Sequence, residues 1–123
     1  MEVFIVDDSS MVVERLLDII RRVHGLEFVG LAAHASAAIQ SIAKIEPDVV
    51  ILDVHILGGS GIDVLKAVKE SLPFLKVIVL TSFPSPQLRK RCMALGADYF
   101  LDKSTDFGKL PEIFRDMMRG KAA

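Results

Sequence analysis

Five short aliphatic runs divide this chain at nearly even intervals, and each is followed by a longer stretch of helical spacing. The runs are Val3–Val6, Phe28–Ala32, Val49–Leu52, Lys76–Leu80 and Tyr99–Leu101. They are mostly continuous in Val, Ile, Leu and Phe rather than alternating, which is how strands covered on both faces read. Between them, Val13, Leu16, Leu17 and Ile20 form one helical stripe behind the caps Ser9 and Ser10, and Gly25 ends it. A second helix is expected from Ser36 to Lys44, before Glu46–Pro47. A third starts at Ser60–Gly61 and carries Ile62, Leu65, Val68 and Leu72 on one side. The fourth opens at Ser85–Pro86, a serine cap with proline in the first helical position, and Gly96 closes it. The fifth carries Leu110, Ile113, Phe114 and Met117, with Pro111 in its first turn. This alternation predicts a (βα)₅ chain of the α/β class, a doubly wound parallel five-stranded sheet with helices on both faces.

Composition narrows what such a fold is for. At 123 residues the chain has the size of one domain, and an ordinary core suffices without disulfides or metal staples. Fifteen basic residues against sixteen acidic ones leave a net charge of −1, with no electrostatic footprint for nucleic acid. A single cysteine, Cys92, excludes an internal disulfide and fits a reducing compartment. No signal-peptide pattern is visible, and no apolar run nears the roughly 18 residues that span a bilayer. The expectation is a cytoplasmic protein with no membrane partner and no direct nucleic-acid binding. It is read as one stand-alone domain over residues 1–119, with "GKAA" at 120–123 as a tail.

In a parallel sheet the strand carboxyl ends share one edge, and ligands bind there. The first strand ends in Asp7 and Asp8, the third in Asp53, the fourth in Thr81, and the fifth is followed by Lys103. Adjacent carboxylates repel, and removing their charge from water is costly, so a cation should compensate. Hard oxygen ligands suit Mg²⁺, and the lysine helps balance the charge.

The stretches "VDDSS", "ILDVHILGGSGIDVL", "VLTS" and "GADYFLDKS" resemble the signatures of response-regulator receiver domains, the CheY-like modules of two-component signalling. The resemblance runs over essentially the whole chain, with the motifs in the expected order. It implies the flavodoxin-like strand order 2-1-3-4-5. It implies that Asp53 is the phospho-acceptor, a carboxylate nucleophile that forms an acyl phosphate. It implies direct Mg²⁺ binding by Asp8 and Asp53, with Asp7 acting through water and the backbone carbonyl of His55 completing the protein ligands. Lys103 and Thr81 would contact the phosphoryl oxygens. Thr81 and Phe100 would form the switch, with Tyr99 as the alternative aromatic. The implied function is a phosphorylation-dependent switch, not a metabolic enzyme, catalysing only its own phosphorylation and slow dephosphorylation. Its implied partner is a sensor histidine kinase or a phosphotransfer protein.

The pattern departs from the family in places. Leu57 and Ser104 stand where proline is usual, and Ser82 where alanine is usual. A cis peptide before Ser104 would be costly without proline. Phe100 can rotate but brings no hydroxyl. Two alternatives compete with the switch. A haloacid-dehalogenase-type phosphatase needs an acid two residues after its nucleophile, where this chain has His55. A degenerate, unphosphorylated receiver is opposed by the intact acidic triad and Lys103.

Other residues read more simply. Asp7 and Asp8 as mere helix caps would leave Asp53 and Lys103 unexplained. Asp98 and Asp102 read as solvated, Cys92 as packing, and His24, His34 and His55 show no metal-ligand spacing. Gly58–Gly61 lacks the lysine of a P-loop and reads as a flexible turn. Arg89, Lys90 and Arg91 read as a solvated face, with a partner contact as the alternative. With Glu112 and Asp116 they give mixed charge to the helix 4–strand 5–helix 5 face, which suits a homodimer or an effector.

Overall fold

The computed structural model describes residues 1–55 and 60–120. Strands β1 (Glu2–Val6), β2 (Glu27–Ala32), β3 (Val49–Leu52), β4 (Lys76–Thr81) and β5 (Tyr99–Asp102) alternate with helices α1 (Ser10–Arg22), α2 (Ala35–Ile45), α3 (Gly61–Ser71), α4 (Pro86–Ala94) and α5 (Leu110–Met118). All four strand pairings are parallel, in the order β2-β1-β3-β4-β5. The expected fold and order are therefore observed, and the element ends shift by only a residue or two, the usual fraying range. One short 3₁₀ turn, Phe107–Lys109, precedes α5 in addition to the expected elements.

The continuous apolar strands serve two cores at once. Phe4, Val6, Val50, Leu52, Val77 and Val79 face α2, α3 and α4. Their neighbours Val3, Ile5, Val49, Ile51, Ile78 and Leu80 face α1 and α5. Period-two alternation thus survives, but both faces are dry. Against the second face α1 lays Val13, Leu16 and Ile20, and α5 lays Leu110, Ile113, Phe114 and Met117. Burying each such large side chain contributes about 2 kcal/mol. Cys92 is fully buried on the α2–α4 side, as packing.

The expected caps Ser9 and Ser85 hold, Ser10 is the first residue of α1, and Ser60, expected only as the start of α3, caps it. Ser9 accepts from Val12 N–H at 3.3 Å, Ser60 from Ile62 N–H at 3.1 Å and Ser85 from Leu88 N–H at 3.1 Å. Gly61 does more than start α3. A β-carbon there would lie 2.3 Å from the Val54 Cα, so only glycine lets the helix close against the segment after Asp53. Leu57, Gly58, Gly59 and the tail beyond Gly120 lie outside the described residues.

Candidate functional site

Three ladder hydrogen bonds extend one residue past the strands, and each carries a functional side chain to the carboxyl edge. Asp7 N–H donates to Ala32 O at 3.1 Å, Asp53 N–H to Val6 O at 2.8 Å, and Lys103 N–H to Thr81 O at 2.8 Å. Sheet pairing therefore brings these groups to one edge through the backbone, independently of their side-chain contacts.

Asp7 and Asp53 are both buried, at 3% and 5% exposure. Each divides its two oxygens in the same way. Asp7 Oδ1 accepts Ser9 N–H at 2.9 Å, and its Oδ2 meets Lys103 Nζ at 2.8 Å. Asp53 Oδ1 accepts His55 N–H at 2.9 Å, and its Oδ2 accepts from the same ammonium at 3.0 Å. Asp8 is exposed, yet Asp7, Asp8 and Asp53 each offer an oxygen within 4.8 Å of the other two. Three carboxylates thus face one lysine. Burial pushes the Asp7 carboxyl above its ordinary range, against the opposing hydrogen bonds from Lys103 and Ser9. Burial alone would lower Lys103, but its bonds to Asp7 and Asp53 win and hold the ammonium above its usual value. A divalent cation with hard oxygen preference fits this surplus of carboxylate.

Thr81 is fully buried at the end of β4, and its Oγ1 accepts Phe83 N–H at 3.1 Å. Among the described residues it makes no hydrogen bond to Asp53. A cavity of about 210 Å³ opens over Asp53, lined by Asp8, Ser9, Asp53, His55, Ser82, Phe83 and Lys103. Nothing in the sequence pattern marks Phe83. Its ring stands edge-on to His55, centroids 5.5 Å apart at 85°, and bounds the mouth. Phe100 is half-buried toward α2–α4, and Tyr99 lies toward α1 and α5. The Lys103–Ser104 peptide is trans.

Two aspartates read as solvated are engaged. Asp98 accepts Val77 N–H at 2.8 Å and sits between Lys69 and Lys76 at 3.7 and 3.8 Å. Asp102 accepts both Ser104 N–H and Ser104 Oγ. The mixed charge of the α4–β5–α5 face also changes meaning. Glu112 and Asp116 pair with Arg119, just past the end of α5, at 2.9 and 2.6 Å, so part of that acidic charge is met within the same helix end.

The family profile of the response regulator receiver domain matches residues 3–115, and the chain belongs to that family. It is 30% identical to the uncharacterized transcriptional regulatory protein YvfU of Bacillus subtilis, over 96% of this chain and 59% of the relative. It is 28% identical to the DNA-binding transcriptional activator DevR/DosR of Mycobacterium tuberculosis, over 98% and 56%. The isolated REC domain of RcsB from Salmonella enterica serovar Typhimurium, solved with the phosphomimetic BeF₃⁻, superposes with a TM-score of 0.90. That structure is 27% identical, and the match covers 98% of this chain and 90% of it. The chain therefore spans less than two thirds of the length of the curated relatives it matches.

These relatives overturn the partner expectation. A homodimer or effector surface without nucleic acid does not describe proteins that include a DNA-binding transcriptional activator. The physical reason is that a net charge of −1 reports on these 123 residues alone. The relatives' remaining length lies outside the match, so charge counted here says nothing of what that length binds. Among the described residues no helix is long and apolar enough to cross a membrane.

Proposed function

We propose that this receiver domain is a switch that accepts a phosphoryl group on Asp53 from the phosphohistidine of a histidine kinase or a phosphotransfer protein. The observation that carries this is the buried Asp53 carboxylate, bonded to Lys103 Nζ at 3.0 Å within a cluster of three carboxylates. In the transfer an Asp53 oxygen attacks phosphorus, the donor's P–N bond breaks, and the imidazole leaves to take a proton from water. The product is an acyl phosphate. Mg²⁺ held by Asp7, Asp8, Asp53 and the His55 carbonyl would supply charge neutralisation at the phosphoryl oxygens. Lys103 is already placed to follow those oxygens when it gives up its contact with Asp53. The Thr81 hydroxyl accepts from Phe83 N–H, which leaves its own proton to donate.

Phosphorylation adds charge beside a buried threonine and biases a two-state element. Thr81 moves toward the phosphoryl group, and Phe100 turns into the space it leaves. The names of the relatives support a DNA-binding output for a protein that carries this receiver. Residues 1–119 form the receiver unit, and its single cysteine, Cys92, fits a reducing cytoplasm.

The test is the intact mass after incubation with acetyl phosphate and Mg²⁺. Wild type gains one phosphoryl group. Asp53→Asn gains none. Persistent labelling of Asp53→Asn would remove Asp53 from the acceptor role.

A further inference from the structure

The turn that follows β5 closes on itself around Lys103. Asp102 N–H donates to Asp106 Oδ2 at 2.9 Å, and Asp106 N–H returns a bond to Asp102 O at 2.8 Å. Asp102 Oδ1 accepts Ser104 N–H at 2.8 Å and Ser104 Oγ at 2.6 Å. Lys109 Nζ, from the 3₁₀ turn, pairs with Asp106 Oδ1 at 3.0 Å. Lys103 is the one residue inside this loop of bonds whose side chain leaves it. That side chain is 10% exposed and ends between Asp7 and Asp53. A lysine stem carries roughly 2 kcal/mol of rotamer entropy, so its ammonium arrives at a fixed point only if its Cα is held.

We propose that Asp102 and Asp106 are positioning residues, whose carboxylates fold the β5–α5 turn so that Lys103 delivers its ammonium to Asp7 and Asp53. Ser104 is part of the device. Its N–H is the donor that a proline at this position would lack. Neither aspartate is within the cavity lining, so each acts through Lys103 and not on the phosphoryl group. The consequence for transfer rests on the acceptor role of Asp53. The placement of the ammonium does not, and can be read by itself.

The experiment compares wild type with Asp102→Ala, Asp106→Ala and the matching Asn variants, which keep an acceptor oxygen. The first readout is the ¹H–¹⁵N signal of the Lys103 ammonium in metal-free protein. Wild type and both Asn variants show a protected signal, and both Ala variants lose it to solvent exchange. The second is the initial rate of phosphorylation by acetyl phosphate. Displacing a charged group by about an ångström costs up to about a hundredfold, so the Ala variants fall tenfold or more while Asn stays near wild type. Mg²⁺-induced thermal stabilisation is retained in all, which separates a misplaced lysine from a lost metal site. If an Ala variant does not fold, Ser104→Ala replaces it, because it removes the hydroxyl donor to Asp102 and keeps the backbone and both carboxylates; a fully protected Lys103 signal there counts against the proposal. A Lys103 signal that survives in the Ala variants overturns the proposal, as does an equal loss in Ala and Asn. Wild type that takes no phosphoryl group yet shows the protected ammonium refutes the acceptor reading and leaves the positioning one standing.

Discussion

At the carboxyl edge of the sheet, Asp7 and Asp53 share one cation, Lys103; at the opposite edge, Asp98 has two, Lys69 and Lys76. The contacts differ as much as the counts. Lys103 reaches both carboxylates at hydrogen-bond length, 2.8 and 3.0 Å. The lysines near Asp98 stand off at 3.7 and 3.8 Å, and Lys69 spends its bond on Leu75 O at 2.7 Å. What anchors Asp98 is the Val77 N–H at 2.8 Å. One edge holds more buried negative charge than its lysine can balance, an excess that a divalent cation would offset. The other sets two lysines around one carboxylate and serves as a staple between the α4–β5 turn and the start of β4.

The largest expected effect comes from removing the shared cation. Lys103→Met in metal-free protein leaves two buried carboxylates unopposed, and should cost about 3 kcal/mol or more in urea unfolding. Lys76→Met at the far edge should cost less than about 1 kcal/mol, since its partner keeps a backbone donor. Equal losses would erase the distinction between the two clusters.

Mg²⁺ should separate them next. At a hundredfold excess over its Kd, a ligand bound only to the native state adds about 2.7 kcal/mol. That gain is expected in wild type and in Asp98→Asn, and should vanish in Asp8→Ala. Metal-free Asp8→Ala should be no less stable than wild type, because one repelling charge is gone. If Mg²⁺ protects Asp8→Ala as well as wild type, the cation is bound elsewhere.

A smaller effect sharpens the contrast. Asp98→Ala orphans the Val77 N–H and should cost about 1–2 kcal/mol, whereas Asp98→Asn keeps an acceptor and should lose only a few tenths. Neither should alter the phosphorylation rate. A large loss in Asp98→Asn would mean that the distant lysines, not the backbone bond, hold that edge.

The site edge was legible in the sequence because its parts are local to strand ends. Asp7, Asp53, Thr81 and Lys103 each follow an apolar run, and parallel pairing alone brings such positions together. The caps at Ser9 and Ser85 were legible for the same reason: cap and donor lie three residues apart. Asp98 was not, since its donor is 21 residues away across a strand pair. Asp102 and Asp106 had a local signal, two aspartates four apart around a serine, but its meaning depends on a turn that pattern alone does not specify. Phe83 was hidden because its ring matters only once the chain brings it against His55. The partner error had a different origin, a charge count taken over a stretch shorter than the relatives.

The smallest effect concerns acid, and it sets two aspartates of the same edge against each other. Asp106 is held below the usual carboxylate range, first by the Asp102 N–H and then by Lys109. Its proton therefore binds more readily to the unfolded chain, whose value is near 3.8. The stability it contributes is present above that value and is lost as pH falls through the lower, folded-state pKa. Asp7 runs the other way. Burial raises it, so the native state binds its proton more readily, and stability falls as pH rises from 3.8 through the higher folded-state value. In metal-free protein followed by urea midpoints from about neutral to about pH 3, the wild-type advantage over Asp106→Asn should shrink on acidification. Over the same range Asp7→Asn, which cannot take up that proton, should lose ground to wild type. Curves that moved in the same direction for both variants would mean that the Asp7 carboxylate is as comfortably held as Asp106, and that the surplus of charge at the site edge is not a strain on the fold.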